Sequence, residues 1–175
     1  MNYMQLTNLR MIFIIKYIRI RYESEDAMKI STKGRYALAA VISMSQRHNN
    51  GEYITVLSIS EKLGISKIYL EQVFSLLKRG GLVISVKGAQ GGYQLSRTPG
   101  QISVFEVLAA VEGSFFEAAE DTVAGKAPDI EKAMRAAVFE KLDKSVKDAL
   151  TAVTLEDLVS ESEKHKAESA QMFYI

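Results

Sequence analysis

Two helix-forming segments, 58–63 and 66–79, are separated by only Gly64 and Ile65, and that gap leaves the chain few ways to fold. The second segment, "SKIYLEQVFSLLKRGG", has Ser66 as its cap candidate and sets Leu70, Val73, Phe74 and Leu77 at i, i+3, i+4 and i+7. That spacing is one apolar stripe on an amphipathic helix. Lys67, Ile68, Tyr69 and Gln72 fall largely off it. The first segment opens with "SISE" at Ser58–Glu61, the S-x-x-E form of a capping box, and stops at Gly64. A pair of helices with a glycine in so short a connection is a helix-turn-helix, whose second member keeps polar and aromatic groups on its outer face.

The flanks extend this unit. From Thr32 to Arg47 the spacing of Tyr36, Ala39, Ala40, Ile42 and Ser43 predicts a first amphipathic helix. Its leading turn carries Lys33 and Arg35, where the helix dipole disfavours cations, so a phosphate partner is expected there. "HNNGE" has turn chemistry, and "YITV" reads as a short β-rich run. After Gly80-Gly81 come "LVISV" and "YQLS", two strand-like runs that a loop with three glycines joins into a hairpin. A glycine-rich loop with cations nearby suggests phosphate. This one lacks the G-x-x-x-x-G-K-[ST] order and connects strand to strand, so no helix N-terminus cradles a nucleotide. With Lys87 and Arg97 on its arms, the hairpin suits a nucleic acid backbone or minor groove.

Charge supports that reading. From Met28 to Arg97 ten Lys and Arg stand against three Glu, a net of +7; from Thr98 onward eight stand against fifteen Asp and Glu, a net of −7. A basic front half and an acidic back half imply that the front meets a polyanion. The chain has no cysteine, which excludes disulfides, thiolate metal sites and a cysteine nucleophile, and His48 and His165 are too far apart in sequence to suggest zinc. No nucleophile and base pair or carboxylate cluster has a spacing that suggests an enzyme.

Ser103–Glu106 is another S-x-x-E box, opening the short helix "VFEVLAAV". Residues 113–127 read as a loop. A long helix then starts at Pro128, with Ile130, Met134, Ala137, Val138, Leu142, Val146 and Leu150 on one stripe. At about 20 residues and some 30 Å it is too long for so small a domain to bury, and its natural partner is a copy of itself. Thr154 to Asp157 caps one more helix, followed by a flexible polar stretch and the apolar tip Met172, Phe173, Tyr174 and Ile175, which is costly in water unless something receives it.

The first 27 residues stand apart. "LRMIFIIKYIRIRY" is apolar but carries four cations, too short and too charged for a membrane span and without the cleavage site of a signal peptide. An amphipathic surface helix is one reading. A plainer one is a translated leader: Glu25-Asp26-Ala27-Met28 can be encoded by a purine-rich ribosome-binding sequence just ahead of an ATG, which would make Met28 the start.

"MKISTKGRYAL", "ISKIYLEQVFSLLKRGGLV" and "VKGAQGGYQLS" together resemble the Rrf-two family of winged-helix repressors over Met28 to about Gly113. The resemblance implies a cytoplasmic homodimer, joined through the long helix, that sets two recognition helices into successive major grooves of a palindromic operator in double-stranded DNA. It assigns DNA contact to Ser66, Tyr69, Glu71 and Gln72 on the recognition helix and to Lys87, Gly91 and Gly92 in the wing, with Lys33, Arg35 and Lys67 added from their charge and placement. Many members have arginine at the position of Lys87. Iron-sulfur members place three cysteines in the loop where this chain reads "GSFFEAAEDTVAGKA", so no cluster is expected. "VTLEDL" and the ending "MFYI" are instead similar to the family's repressors of cysteine metabolism, which take cysteine synthase (O-acetylserine thiol-lyase) as co-repressor. Serine acetyltransferases insert a terminal isoleucine into that enzyme, so Met172 to Ile175, with the α-carboxylate, is the expected docking group. The expected organisation is a non-native leader or disordered extension at 1–27, a winged helix-turn-helix domain at 28–112, a cysteine-free loop at 113–127, a dimerisation helix at 128–152 and a C-terminal helix and tail at 153–175. The fold class is mainly α with a small β-wing.

Overall fold

The structure, a computed structural model, describes residues 30–48, 53–88, 91–113 and 121–171. Of the two units into which the chain divides, Met1–Ile30 and Ser31–Ile175, the first is described only at Ile30. The leader expected over 1–27 therefore lies outside the described residues, as does the docking tetrapeptide Met172–Ile175.

Helix α1 (Thr32–Ser45) starts at Ser31, whose hydroxyl accepts from the Gly34 N–H at 3.1 Å. It buries Ala37, Ala40, Val41 and Met44, while Tyr36, Ala39 and Ile42, expected inside, are only half buried. The small side chains of Ala37 and Ala40 let the neighbouring helices approach closely, and the larger Tyr36 is left at the rim.

Helix α2 (Val56–Leu63) begins two residues before the expected box. Thr55 is its cap, accepting from the Ser58 N–H at 3.1 Å, so Ser58 sits inside the first turn and not ahead of it. Gly64 ends α2 with φ of 66°, the left-handed conformation in which a side chain is strained. Helix α3 (Lys67–Arg79) buries Leu70, Val73, Phe74 and Leu77, the predicted stripe. Ser66 holds the position before it, but its side chain makes no capping hydrogen bond.

The wing is the antiparallel pair β1 (Val83–Val86) and β2 (Gly92–Leu95), with Val83 opposite Leu95 and Val86 opposite Gly92. "YITV" contributes one bridge and no strand: Ile54 and Tyr93 exchange both backbone hydrogen bonds at 2.9 Å. A 3-10 turn at Pro99–Gln101 leads to α4 (Val104–Val111), where Ser103 and Glu106 form the reciprocal capping box. Val107, Leu108 and Val111 of α4 are buried, and α1 packs against α3 and α4.

The long helix is not uniform. It runs as α5 (Pro128–Met134), a π-helical turn over Arg135–Phe139 and α6 (Glu140–Thr151), and the Glu140 N–H reaches back five residues to the Arg135 carbonyl. Proline at the first position starts it as expected, since the missing N–H would have no partner there. Ile130, Val138 and Leu142 are each more than half exposed. Glu131 is only 5% exposed and accepts from the N–H groups of Thr122 and Val123 at 3.1 and 3.0 Å, tying the end of the loop to α5. Helix α7 (Leu155–Gln171) opens where Thr154 and Asp157 exchange hydrogen bonds. The polar stretch expected to be flexible is helical through Gln171, and its buried anchor is Leu155.

Candidate nucleic-acid interface

The exposed side of α3 is built by what α3 hides. With Leu70, Val73, Phe74 and Leu77 turned to the core, Ile68, Glu71 and Gln72 must face outward at 100° per residue, and all three are exposed, as is Lys67 at the start of the helix. Lys67 and Glu71 lie 3.6 Å apart as a solvated i,i+4 pair, worth little in water and free to exchange for another partner. Ser66 is exposed at the head of the same helix.

Tyr69 is half buried and meets Tyr36 edge to face, with ring centroids 5.3 Å apart. That contact sets Tyr36, in the second turn of α1, against the first turn of α3; Arg35, exposed, and Lys33, half buried, precede it on α1. At the other end of α3, the Lys78 ammonium donates to the Ser85 hydroxyl at 2.6 Å and ties the helix to β1.

In the wing, Lys87 is exposed just past β1. The glycines opposite have reasons internal to the fold. A Cβ on Gly91 would stand 2.3 Å from the Val86 carbonyl oxygen, and one on Gly92 would stand 2.7 Å from that of Ile54. They let the wing close on itself, whatever else they touch. Arg97, just past β2, has its guanidinium paired with Glu106 at 2.8 Å and donates to the Gln101 carbonyl at 2.9 Å. Burial works against ionising Glu106, but the Ser103 N–H, Arg97 and the Ser103 hydroxyl outweigh it and hold the carboxyl below its usual range.

One electrostatic feature had no sequence signal. Lys62 is held below the usual lysine range by partial burial and by the nearby charges of Arg47 and Lys166, three residues far apart in the chain. Its ammonium donates to Gln46 at 2.8 Å. Gln46, which in turn donates to the Ser162 hydroxyl at 3.3 Å, links the ends of α1 and α2 to α7, and Lys166 brings a cation of the acidic back half beside two of the basic front half.

An iron-sulfur cluster of the usual kind is held by cysteine thiolates, and the chain has none. Where such ligands would be carried, the described part of the loop is fastened by Glu131. The residues present do not fit that group, and among the described residues no group of three or more His, Cys, Asp or Glu could hold a metal ion. Among the described residues, no helix is long and apolar enough to cross a membrane.

The Rrf2 family model, described as "Iron-dependent Transcriptional regulator", matches residues 30–161. The transcriptional regulator CymR of Bacillus subtilis is 37% identical over 150 residues, covering 85% of this chain and all of CymR. The regulator IscR of Cronobacter sakazakii is 38% identical over 136 residues, covering 78% of this chain and 83% of its own. Among solved structures, T. potens IscR matches with a TM-score of 0.61 at 34% identity, over 79% of this chain and 91% of that one. CymR, "the Global Cysteine Regulator of B. subtilis", matches with a TM-score of 0.59 at 34% identity, over 77% and 98%. The order of helices, the two-stranded wing and these matches agree: the chain belongs to the Rrf2 family and is a winged helix-turn-helix transcriptional regulator, not an enzyme.

Proposed function

We propose that this chain is a cytoplasmic, homodimeric repressor of cysteine and sulfur metabolism genes that acts with cysteine synthase as co-repressor and without an iron-sulfur cluster. The observation that carries the reading is the match to CymR over the whole of that protein, combined with the lack of any thiol in a family whose model is described as iron-dependent. The exposed face of α3, with Ser66, Lys67, Glu71 and Gln72, enters the major groove of a palindromic operator. Tyr69, Lys33 and Arg35 lie along the adjoining phosphates, and Lys87, Gly91 and Gly92 lie over the minor groove. The apolar side chains left exposed on α5 and α6 support a seam between two copies. Met172, Phe173, Tyr174 and Ile175 form the group that enters cysteine synthase.

The test is fluorescence anisotropy of the protein on labelled promoter fragments from its own genome's sulfur-assimilation genes, with and without cysteine synthase. Selective binding that the enzyme strengthens and O-acetylserine reverses is expected. Tight binding indifferent to the enzyme would remove the co-repressor, and absence of selective binding would remove the regulon. Deleting Ile175 is expected to abolish the effect of cysteine synthase while leaving the dimer intact.

A second reading, a regulator of another regulon that answers to a small-molecule effector, draws on one feature. A cleft of about 420 Å³ between the end of α1, the 3-10 turn and the start of α7 is lined by His48, Thr98, Pro99, Glu156 and Val159. Binding that responds to a metabolite and not to the enzyme would favour it.

A further inference from the structure

Ile68 is 71% exposed, the most exposed large hydrophobic side chain among the described residues. A single apolar residue on a surface usually needs no explanation. This one is singled out by its position. Taking the buried stripe of α3 as the inner face, 100° per residue places Ile68 and Gln72 on the line diametrically opposite, one turn apart, with Ile68 nearer the head of the helix. The residue that reaches furthest from the core at the leading end of the second helix of a helix-turn-helix is therefore aliphatic, between Lys67 and Tyr69. Isoleucine also has a lower helix propensity than the lysine, glutamate or glutamine around it, so nothing in the helix itself favours it there.

We infer that Ile68 is a specificity-determining residue that packs on the C5-methyl group of a thymine in the major groove. This inference rests on the DNA-binding reading of α3. The major groove offers one apolar group, that methyl, and a branched aliphatic side chain gains from covering it while gaining nothing from a base edge that presents only donors and acceptors. Gln72, one turn further on, can take both the donor and the acceptor of an adenine edge. The two side chains together read a short A·T-containing element in each half-site. Charged neighbours hold the register on the phosphates but do not discriminate there.

The experiment uses the full-length chain. An operator is first recovered by selection from a pool of randomised duplexes, and each thymine of the half-site is then replaced singly by deoxyuridine, which lacks only the methyl. Burial of one methyl corresponds to about a fourfold change in Kd. Wild-type protein is expected to lose roughly that factor at one thymine per half-site, and Ile68→Ser is expected to bind the thymine operator more weakly by a similar factor and to ignore deoxyuridine at that position. Indifference of the wild type to every deoxyuridine overturns the inference without use of a variant. Persistence of the same sensitivity in Ile68→Ser overturns it as well. Failure to recover any operator would instead remove the DNA-binding reading beneath it.

Discussion

Tyr36 on α1 and Tyr69 on α3 meet edge to face, their ring planes at 87°, so a residue assigned to DNA contact also holds two helices together. The two roles separate by substitution. Tyr69→Phe keeps the ring contact and is expected to leave thermal unfolding unchanged while weakening operator binding through the lost hydroxyl. Tyr69→Ala loses the pair as well, about 0.5 to 1.5 kcal/mol beyond its buried area. Equal operator affinity of Tyr69→Phe and wild type would confine Tyr69 to packing.

Lys87 and Gln72 should differ in kind. Lys87→Ala is expected to weaken binding to every duplex and to reduce the salt slope by about one unit, the loss of one cation that neutralises phosphate in the proposed complex. Gln72→Ala is expected to cost roughly 1 to 3 kcal/mol at one operator position and to relax preference there. Anisotropy titrations at several salt concentrations, on matched and mismatched operators, distinguish the two.

Gly92→Ala tests the wing from inside. Its Cβ would meet the Ile54 backbone, so the Ile54–Tyr93 bridge must open or shift. A loss of about 1 to 3 kcal/mol in chemical denaturation is expected, the usual range for overpacking. Hydrogen exchange at the Ile54 and Tyr93 amides should rise with it.

Glu106 gives the fold an acid-sensitive joint. Its carboxyl is held below its unfolded value, so its contribution is present above the unfolded pKa and is lost as pH falls through the folded one. Glu106→Gln is expected to lower stability near neutral pH and to flatten its decline on acidification. Ser103→Ala, which removes the other half of the box, should cost about 1 kcal/mol. Thermal unfolding across pH 3 to 7 measures both.

The recognition helix could be read in advance because its apolar positions have a single consistent period and its limits are marked by Gly64 and Gly80. The Ser103 box was legible for a similar reason, since both partners lie three residues apart. The start of α2 was misread because two hydroxyl residues, Thr55 and Ser58, compete for the cap, and the bridge from Ile54 to Tyr93 decides between them. That bridge joins residues 39 positions apart, which no local pattern reports. The pairing of Arg97 with Glu106 was equally out of reach, since it depends on how the 3-10 turn folds back. The positive cluster of Arg47, Lys62 and Lys166 exists only once α7 lies beside α1.

The π turn at Arg135–Phe139 left no mark in the sequence, with no proline or glycine to announce it, yet it settles a matter of phase. Ile130, Met134, Val138 and Leu142 recur every four residues, and in a regular helix each step of four overshoots a full turn by about 40°. Such a row would wind about 120° around the helix between its first and last members. One residue inserted as a π turn takes back about 100°, leaving the row almost straight. A second copy laid along it would meet a linear edge and would have no need to coil around it. Removing one residue there, Ala136 or Ala137, would let the segment close as a regular helix and still leave the two halves of that edge in line, because the remaining steps of about 100° give the same rotation.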